Sequence, residues 1–241
     1  MMKDIKGVIY YLMTNVRYPF MIFWTILLSI FALSILFSFV TSNEQVLFQA
    51  SIPIYIFCLV LGMWTVKNTI PYLLKMSVTR KLIYISIGIY FLMIAIVQAL
   101  LANALIKIID LIGKRAISGD VTLYNGQEEF SFEFNHLSQF LQNDSFITQI
   151  TVDTIIAFAA LNAMFFIGLL FYRYGLAGGF TFLGVMFLIY LLSITQGSFV
   201  ELVKYILKNY SMTLYFQLFG VSILIYLLSF ILIRRLTISS K

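Results

Sequence analysis

Charged residues are scarce in this chain of 241 residues: they make up 11% of the sequence, while 61% is hydrophobic and the mean hydropathy is +0.98. A soluble globular domain carries about 25% charged residues, because its surface must be solvated. The 16 basic and 10 acidic residues also lie mainly between long apolar runs. This distribution excludes an ordinary soluble domain and indicates a protein whose solvent is the lipid bilayer.

Cysteine and histidine are almost absent, since Cys58 and His136 are the single residues of their types. One cysteine cannot form an internal disulfide, and one histidine leaves few routes to a His-rich metal site. A phosphate-binding loop is also missing: the nearest string, Gly113-Lys114-Arg115, lacks the first glycine and the hydroxyl residue of that motif. We therefore expect no enzymatic activity, no metal and no cofactor in this chain.

Six stretches are long and apolar enough to cross a bilayer, which takes about 20 mostly apolar residues in a helix. Backbone groups in hydrocarbon must satisfy one another, and these stretches are too long for the strands of a barrel, so all six are predicted as helices. The sequence thus predicts an all-α polytopic membrane protein in which region 18–241 holds six spans: 18–40, 50–66, 82–106, 150–172, 176–195 and 213–233.

Basic residues are concentrated on one side of these spans. With the N-terminus in the cytoplasm, the cytoplasmic segments hold 11 basic residues and one acid, and the opposite side holds five basic residues and nine acids. Cytoplasmic loops of membrane proteins carry an excess of lysine and arginine. We therefore expect both termini in the cytoplasm. The net charge of +6 follows from this excess of basic residues on the cytoplasmic side, and we expect no nucleic-acid partner.

Three segments outside the spans have patterns of their own. Residues 1–17 are predicted to form an amphipathic helix in the interface plane, with Pro19 marking the turn into the first span; a merely solvated extension is the alternative. The external loop 107–149 contains an alternating run at 130–134 that is typical of a short strand and precedes a helical turn. The segment 196–212 is predicted as an external amphipathic helix.

Four polar residues lie inside the predicted spans. Asp153 is the one ionisable residue there, near the outer end of the fourth span, and such residues are functional candidates. It could instead reach the interface or pair with Lys107, which would make its role structural. Gln98, Asn103 and Asn162 lie deep in the third and fourth spans, where uncharged polar side chains more often bridge helices than bind substrate. All four stay candidates for a transport pathway or for helix packing.

The cytoplasmic segment 67–81, between the second and third spans, has the most informative pattern. Pro71 suits the first turn of a short helix. Such a helix presents an apolar face followed by two basic residues, and the candidate docking residues are Ile70, Leu73, Leu74, Val78, Arg80 and Lys81. A helix of this kind suits docking to a soluble partner, although the same pattern fits a basic interfacial loop.

Taken together, these features resemble the permease subunits of type-2 ABC exporters. The resemblance rests on the interfacial N-terminal helix, the six spans with both ends inside, the external amphipathic segment, and the Ser-Val-Thr-Arg-Lys string at 77–81. It implies that 67–81 is a coupling helix that docks on a separate cytoplasmic ABC ATPase subunit. It also implies a second permease, identical or paralogous, and a multi-pass location in a bacterial cytoplasmic membrane. The 43-residue loop 107–149 departs from the family, which usually joins its third and fourth spans closely.

The expected function follows from this resemblance. Small bacterial members of the family export peptides, including amphipathic toxins such as phenol-soluble modulins, or confer resistance to antimicrobial peptides. We therefore expect a permease that moves a hydrophobic or amphipathic substrate outward, with ATP hydrolysis only in the partner chain. The alternative is a non-transporting polytopic membrane protein, either an immunity protein or a scaffold or sensor, that acts through the external loop.

Overall fold

The computed structural model describes residues 2–40, 51–118, 145–208 and 211–234. Within these ranges five helical stretches are long and apolar enough to cross a membrane, so the chain is compatible with a membrane protein, and its all-helical class is confirmed. The elements are α1 (Met2–Val40), α2 (Ser51–Trp64), a π-helical turn (Thr65–Thr69), α3 (Ile70–Lys75), α4 (Arg80–Ser118), α5 (Phe146–Thr195), α6 (Ser198–Lys208) and α7 (Met212–Arg234).

The 50-residue helix α5 consists of two apolar arms that double back at Gly175. This residue has φ 73° and ψ −174°, a conformation that is essentially restricted to glycine. In a straight helix Phe166 and Phe182 would lie about 24 Å apart, yet their ring centroids are 6.1 Å apart. The first arm and the second arm overlap the predicted spans 150–172 and 176–195, and the count of six crossings stays a prediction.

Contacts between helices define one end of the bundle. Asn15 Nδ2 donates to Thr69 Oγ1 at 3.2 Å, which places the start of α1 beside α3. Arg80 Nη1 donates to the Arg234 carbonyl at 2.5 Å, which places the start of α4 beside the end of α7. We call this side of the bundle the basic end, because its exposed side chains include Lys6, Arg17, Lys67, Lys75, Arg80 and Lys81.

The helix α1 runs without interruption through Pro19, so the predicted turn between a separate 1–17 helix and the first span is wrong. Proline lacks the N–H that would bond the carbonyl of Asn15, and its ring crowds that carbonyl, yet α1 continues through it. Val8 and Leu12 are buried in the main core with residues of α2, α4 and α5. The apolar face of the first turns of α1 therefore packs on the protein itself.

The segments between the predicted spans also differ from expectation. Helices α4 and α5 extend into both ends of the predicted 107–149 loop. At the start of α5 the Ser145 hydroxyl accepts from the Thr148 N–H at 3.2 Å, which satisfies one of the free amides of the first turn. The predicted strand at 130–134, with the turn after it, lies outside the described residues. The helix predicted within 196–212 is present as α6.

The core lies where α2, α4 and the first arm of α5 meet, and glycines set the closest approach. A Cβ at Gly62 would lie 2.5 Å from the carbonyl oxygen of Leu161, so alanine has no room there. At Gly168 a Cβ would lie 3.1 Å from the side chain of Val66, in the π-helical turn that follows α2. Small residues let membrane helices pack backbone to backbone. These two glycines therefore fix the spacing of α2 and α5.

A reciprocal pair of tyrosines joins α4 to α7. The Tyr84 hydroxyl donates to the Tyr226 backbone carbonyl at 2.9 Å, and the Tyr226 hydroxyl donates to the Tyr84 backbone carbonyl. The two rings stack with their centroids 4.4 Å apart. Gly88 makes room for this arrangement, because a Cβ there would lie 2.7 Å from the Tyr226 hydroxyl. The pair fixes the register of α7 against α4.

Candidate functional site

Asp153 lies in a buried polar cluster between α2, α4 and α5, at the end of the bundle opposite the basic end. Its side chain is 3% exposed. One carboxylate oxygen accepts from the Tyr55 hydroxyl at 2.6 Å, and the other accepts from Asn103 Nδ2 at 2.7 Å. Short bonds of this kind to a carboxylate are among the stronger hydrogen bonds in proteins. One side chain thus holds three helices together.

The surroundings of Asp153 add detail to the sequence-based interpretation. Its side chain is buried between helices, and its depth relative to the membrane interface stays a prediction. The predicted partner, Lys107, places its ammonium 3.7 Å from the ring centroid of Phe146, where it makes a cation–π contact. The hydroxyl of Tyr55, which the sequence did not single out, is an observed hydrogen-bond partner of the carboxylate.

Gln98 is fully buried next to this cluster. Its amide oxygen and nitrogen have no hydrogen-bond partner among the described residues, although buried polar atoms are nearly always paired. A cavity of about 10 Å³ is lined by Ser51, Tyr55, Gln98 and Asp153 together with apolar side chains. This volume suits about one water-sized particle. The cluster therefore offers space for one small polar ligand and none for a peptide.

Asn162 bridges a different pair of helices. Its Nδ2 donates to Ser222 Oγ at 2.8 Å, and this buried bond joins the first arm of α5 to α7. Asn162 lies about 13 Å further along α5 than Asp153. The four polar residues selected from the sequence therefore divide into one cluster, with Asp153, Asn103 and Gln98, and one separate bridge at Asn162.

The predicted docking segment forms a corner at the basic end, residues 70–81, which we call the basic corner. The π-helical turn joins α2 to α3, and Pro71 lies in the first turn of α3. The turn into α4 is closed by the bond from Val78 N–H to the Leu73 carbonyl at 3.2 Å. Ser77 has φ 58° in this turn, a strained conformation that persists only where surrounding contacts fix it.

The apolar face of the basic corner is directed into the bundle. Ile70 and Leu73 are fully buried in the main core, and Leu74 and Val78 are half-buried. The sequence predicts that this face contacts a partner protein, and that contact stays a prediction; in this structure Ile70 and Leu73 pack on the protein's own core. The reason is that α1, which the sequence separates from the bundle, packs here on the same core.

Contacts from α1 hold the basic corner in place. The rings of Tyr11 and Tyr72 stack at 4.7 Å with an interplanar angle of 11°. The hydrogen bond between Asn15 and Thr69 lies one turn away. The surface that stays exposed is basic and amphipathic and consists of Tyr72, Lys75, Met76, Ser77, Thr79, Arg80 and Lys81.

An open groove of about 890 Å³ lies between α1 and the basic corner. Its walls include Tyr11 and Met76, with Thr79 and Lys81 among its polar residues. A volume of this order is typical of sites that hold a small ligand or a side chain of a partner. The groove and the exposed surface of the basic corner therefore form one continuous region at the basic end.

Among the described residues no three His, Cys, Asp or Glu side chains lie together as metal ligands. Comparison of the chain with protein families, with curated proteins and with solved structures finds no match. The polar cluster and the basic corner are therefore the features of the described residues that bear on function.

Several residues of these sites were not selected from the sequence. Ser51, Tyr55 and Ser222 are hydroxyl residues in largely apolar helices, and each contributes to a polar bridge or to the cavity. The sequence does indicate that such partners exist, because a buried carboxylate or amide in one span needs a hydrogen-bond donor or acceptor from another span. That signal indicates the kind of partner, but it does not say which helices are neighbours.

Proposed function

We propose that the chain is the permease subunit of an ATP-driven exporter of the type-2 ABC class, in a bacterial cytoplasmic membrane, with a separate cytoplasmic ATPase subunit. The observation that carries the proposal is the basic corner. It is a tightly fixed turn between two long apolar helices, and its outer surface is exposed. A displacement of such a turn by a partner passes directly into α2 and α4.

The exposed surface supports a docking face other than the one predicted from the sequence. Met76 is 57% exposed and Tyr72 is 41% exposed, with Lys75 and Arg80 exposed beside them. Apolar anchors surrounded by charged residues are typical of interfaces in which a few central contacts carry the affinity. We place the ATPase contact on this surface, while the buried Ile70 connects it to the bundle core.

The proposed substrate is a hydrophobic or amphipathic peptide, and its route lies between two permease chains. The cavity beside Asp153 holds about 10 Å³, which a peptide cannot enter. Large apolar side chains are exposed along α1, the second arm of α5 and α7. A second permease, identical or paralogous, would cover part of these faces. The ATPase would supply the energy, and this chain would supply two states with different affinity for the substrate.

The test is purification of the tagged chain in detergent from its native host. We expect a P-loop ATPase subunit to co-elute and the complex to hydrolyse ATP in a vanadate-sensitive manner. Met76→Ala is expected to lower the recovery of the ATPase about tenfold or more, because the loss of a central anchor costs about 2 kcal/mol. Met186→Ala is the matched control, since Met186 is 52% exposed on the second arm of α5.

Two outcomes would contradict the proposal. If no P-loop subunit co-elutes with the wild-type chain, the non-transporting alternative, an immunity protein, scaffold or sensor, gains support. If an ATPase co-elutes but Met76→Ala and Met186→Ala recover it equally, the basic corner is not the docking surface.

A further inference from the structure

The polar cluster around Asp153 carries an inference that does not depend on the proposed export function. Four polar side chains line its cavity: Ser51 and Tyr55 from α2, Gln98 from α4 and Asp153 from α5. They are far apart in the sequence and meet only because three helices pack together. The fold therefore assembles a polar site inside an otherwise apolar bundle.

Gln98 is the residue that indicates a ligand. Its side chain is fully buried, and neither Oε1 nor Nε2 has a hydrogen-bond partner among the described residues. On the same helix Asn103 directs its Nδ2 to Asp153 and to the Ala99 carbonyl, and its Oδ1 is likewise without a described partner. A buried amide that serves no partner destabilises a fold, whereas an apolar side chain of the same shape does not. The buried amide of Gln98 is therefore expected to interact with a ligand in the cavity.

We propose that this cavity binds one monovalent cation of the size of Na⁺. The available donor set is entirely oxygen: the Asp153 carboxylate, the Gln98 amide oxygen and the hydroxyl oxygens of Ser51 and Tyr55. Hard cations prefer carboxylate, carbonyl and hydroxyl oxygen. The cavity of about 10 Å³ accepts one water-sized particle, which is the size of a bare ion and excludes an organic molecule.

The charge of the site favours a monovalent ion over Ca²⁺ or Mg²⁺. Asp153 is the one carboxylate among the residues that line the cavity. Ca²⁺ takes 6–8 oxygen ligands, often from several carboxylates, and Mg²⁺ keeps several waters, for which this volume has no room. The bonds from Tyr55 and Asn103 do not prevent coordination, because a carboxylate has about four lone-pair positions.

Because the site lies between three helices, a bound cation would stabilise their packing. A bound ion contacts α2, α4 and α5 together, at the end of the bundle away from the basic corner. Binding to this arrangement of the three helices stabilises it relative to states in which the helices separate. Cation binding is therefore measurable as a gain in thermal stability of the whole chain.

The experiment is thermal unfolding of the full chain, purified in detergent, over a series of NaCl concentrations at constant ionic strength made up with choline chloride. We expect Tm to rise saturably with Na⁺, by about 3 °C or more at ten times the Kd. Gln98→Leu and Asp153→Asn are expected to abolish this rise. Ser86→Ala is the matched control and keeps it: Ser86 is a buried hydroxyl of α4 without a described hydrogen-bond partner, and it does not line the cavity.

Three outcomes separate the possibilities. Equal wild-type Tm in NaCl and choline chloride, with a higher Tm for Gln98→Leu, overturns the proposal and leaves a bound water or an unsatisfied amide. A Na⁺-dependent rise that persists in Gln98→Leu and Asp153→Asn contradicts the assigned position. Should Asp153→Asn fail to fold, equilibrium binding of radioactive sodium decides: we expect one saturable site in wild type and Ser86→Ala, and its loss in Gln98→Leu.

Discussion

Replacement of Gly175 by alanine tests the bend that divides α5 into two arms. At φ 73° and ψ −174° an alanine is strained, and a non-glycine residue in such a sparsely populated region costs about 1–3 kcal/mol. Apart from the adjoining residues of the chain, no described atom lies within 4 Å of the position that the new Cβ would take, so a clash with another part of the protein adds nothing. We therefore expect Gly175→Ala to lower the free energy of unfolding by about 2 kcal/mol, all of it from the backbone.

Straightening of α5 cannot relieve this strain within a membrane. A continuous helix of 50 residues would be about 75 Å long, whereas the hydrocarbon core is about 30 Å thick. It would also separate Phe166 from Phe182, whose rings are in contact across the two arms. The variant therefore keeps the bend and carries its cost in the native state.

The matched control is Gly184→Ala, in the second arm of α5. Gly184 has no described neighbour within 4 Å and lies in regular helix, where alanine gains about 0.5–1 kcal/mol over glycine. The assay is equilibrium unfolding of both variants in SDS, followed by circular dichroism. Equal free energies of unfolding for Gly175→Ala and Gly184→Ala would refute the reasoning, because they would show that position 175 has an ordinary helical backbone.

Three further predictions concern packing and topology. Gly62→Ala is expected to lower the free energy of unfolding in SDS by about 2 kcal/mol, because its Cβ would lie 2.5 Å from a carbonyl oxygen of α5. Gly220→Ala is the control, since no atom obstructs a Cβ there, and we expect no such cost. Tyr226→Phe is expected to lose about 1 kcal/mol in the same assay, since it removes one hydroxyl bond between α4 and α7; an unchanged value would mean that the tyrosine pair adds no stability. In a cysteine-free background, Ser118→Cys is expected to react with an impermeant maleimide in intact cells, and Thr79→Cys is expected to react only after lysis. The reverse order of labelling would contradict the orientation predicted from the charges.

Apolar runs in the sequence locate the long helices well, because hydropathy is a local property of the chain. The run 213–233 lies inside α7, and the run 82–106 lies inside α4. The ends of the helices are less predictable, since they depend on backbone hydrogen bonds and packing. For this reason α4 continues into polar sequence as far as Ser118, and α1 passes through Pro19.

The partners of polar residues across the bundle are not predictable from hydropathy. Asp153 and Asn103 were candidates from the sequence because polar residues are costly in hydrocarbon. Tyr55 was not, because one hydroxyl in an apolar helix does not reveal which helix faces it. The contact depends on the packing of α2 against the first arm of α5: the two helices approach closely at Gly62, and the Tyr55 hydroxyl lies 2.6 Å from the Asp153 carboxylate.

At the basic corner, too, the sequence pattern does not reveal which residues pack against one another, and here the packing bears on function. The spacing of Ile70 and Leu73 correctly marks the apolar face of a short helix, but periodicity alone cannot tell whether that face contacts a partner or the protein's own core. The packing of α1 decides between them, since it encloses Ile70 and Leu73 and leaves Tyr72 and Met76 exposed. An apolar face that packs inward is compatible with the proposed coupling, because a displacement of the exposed side chains would move the packed residues with them. Substitutions at Met76 therefore test docking itself, whereas substitutions at Ile70 would disturb the fold first.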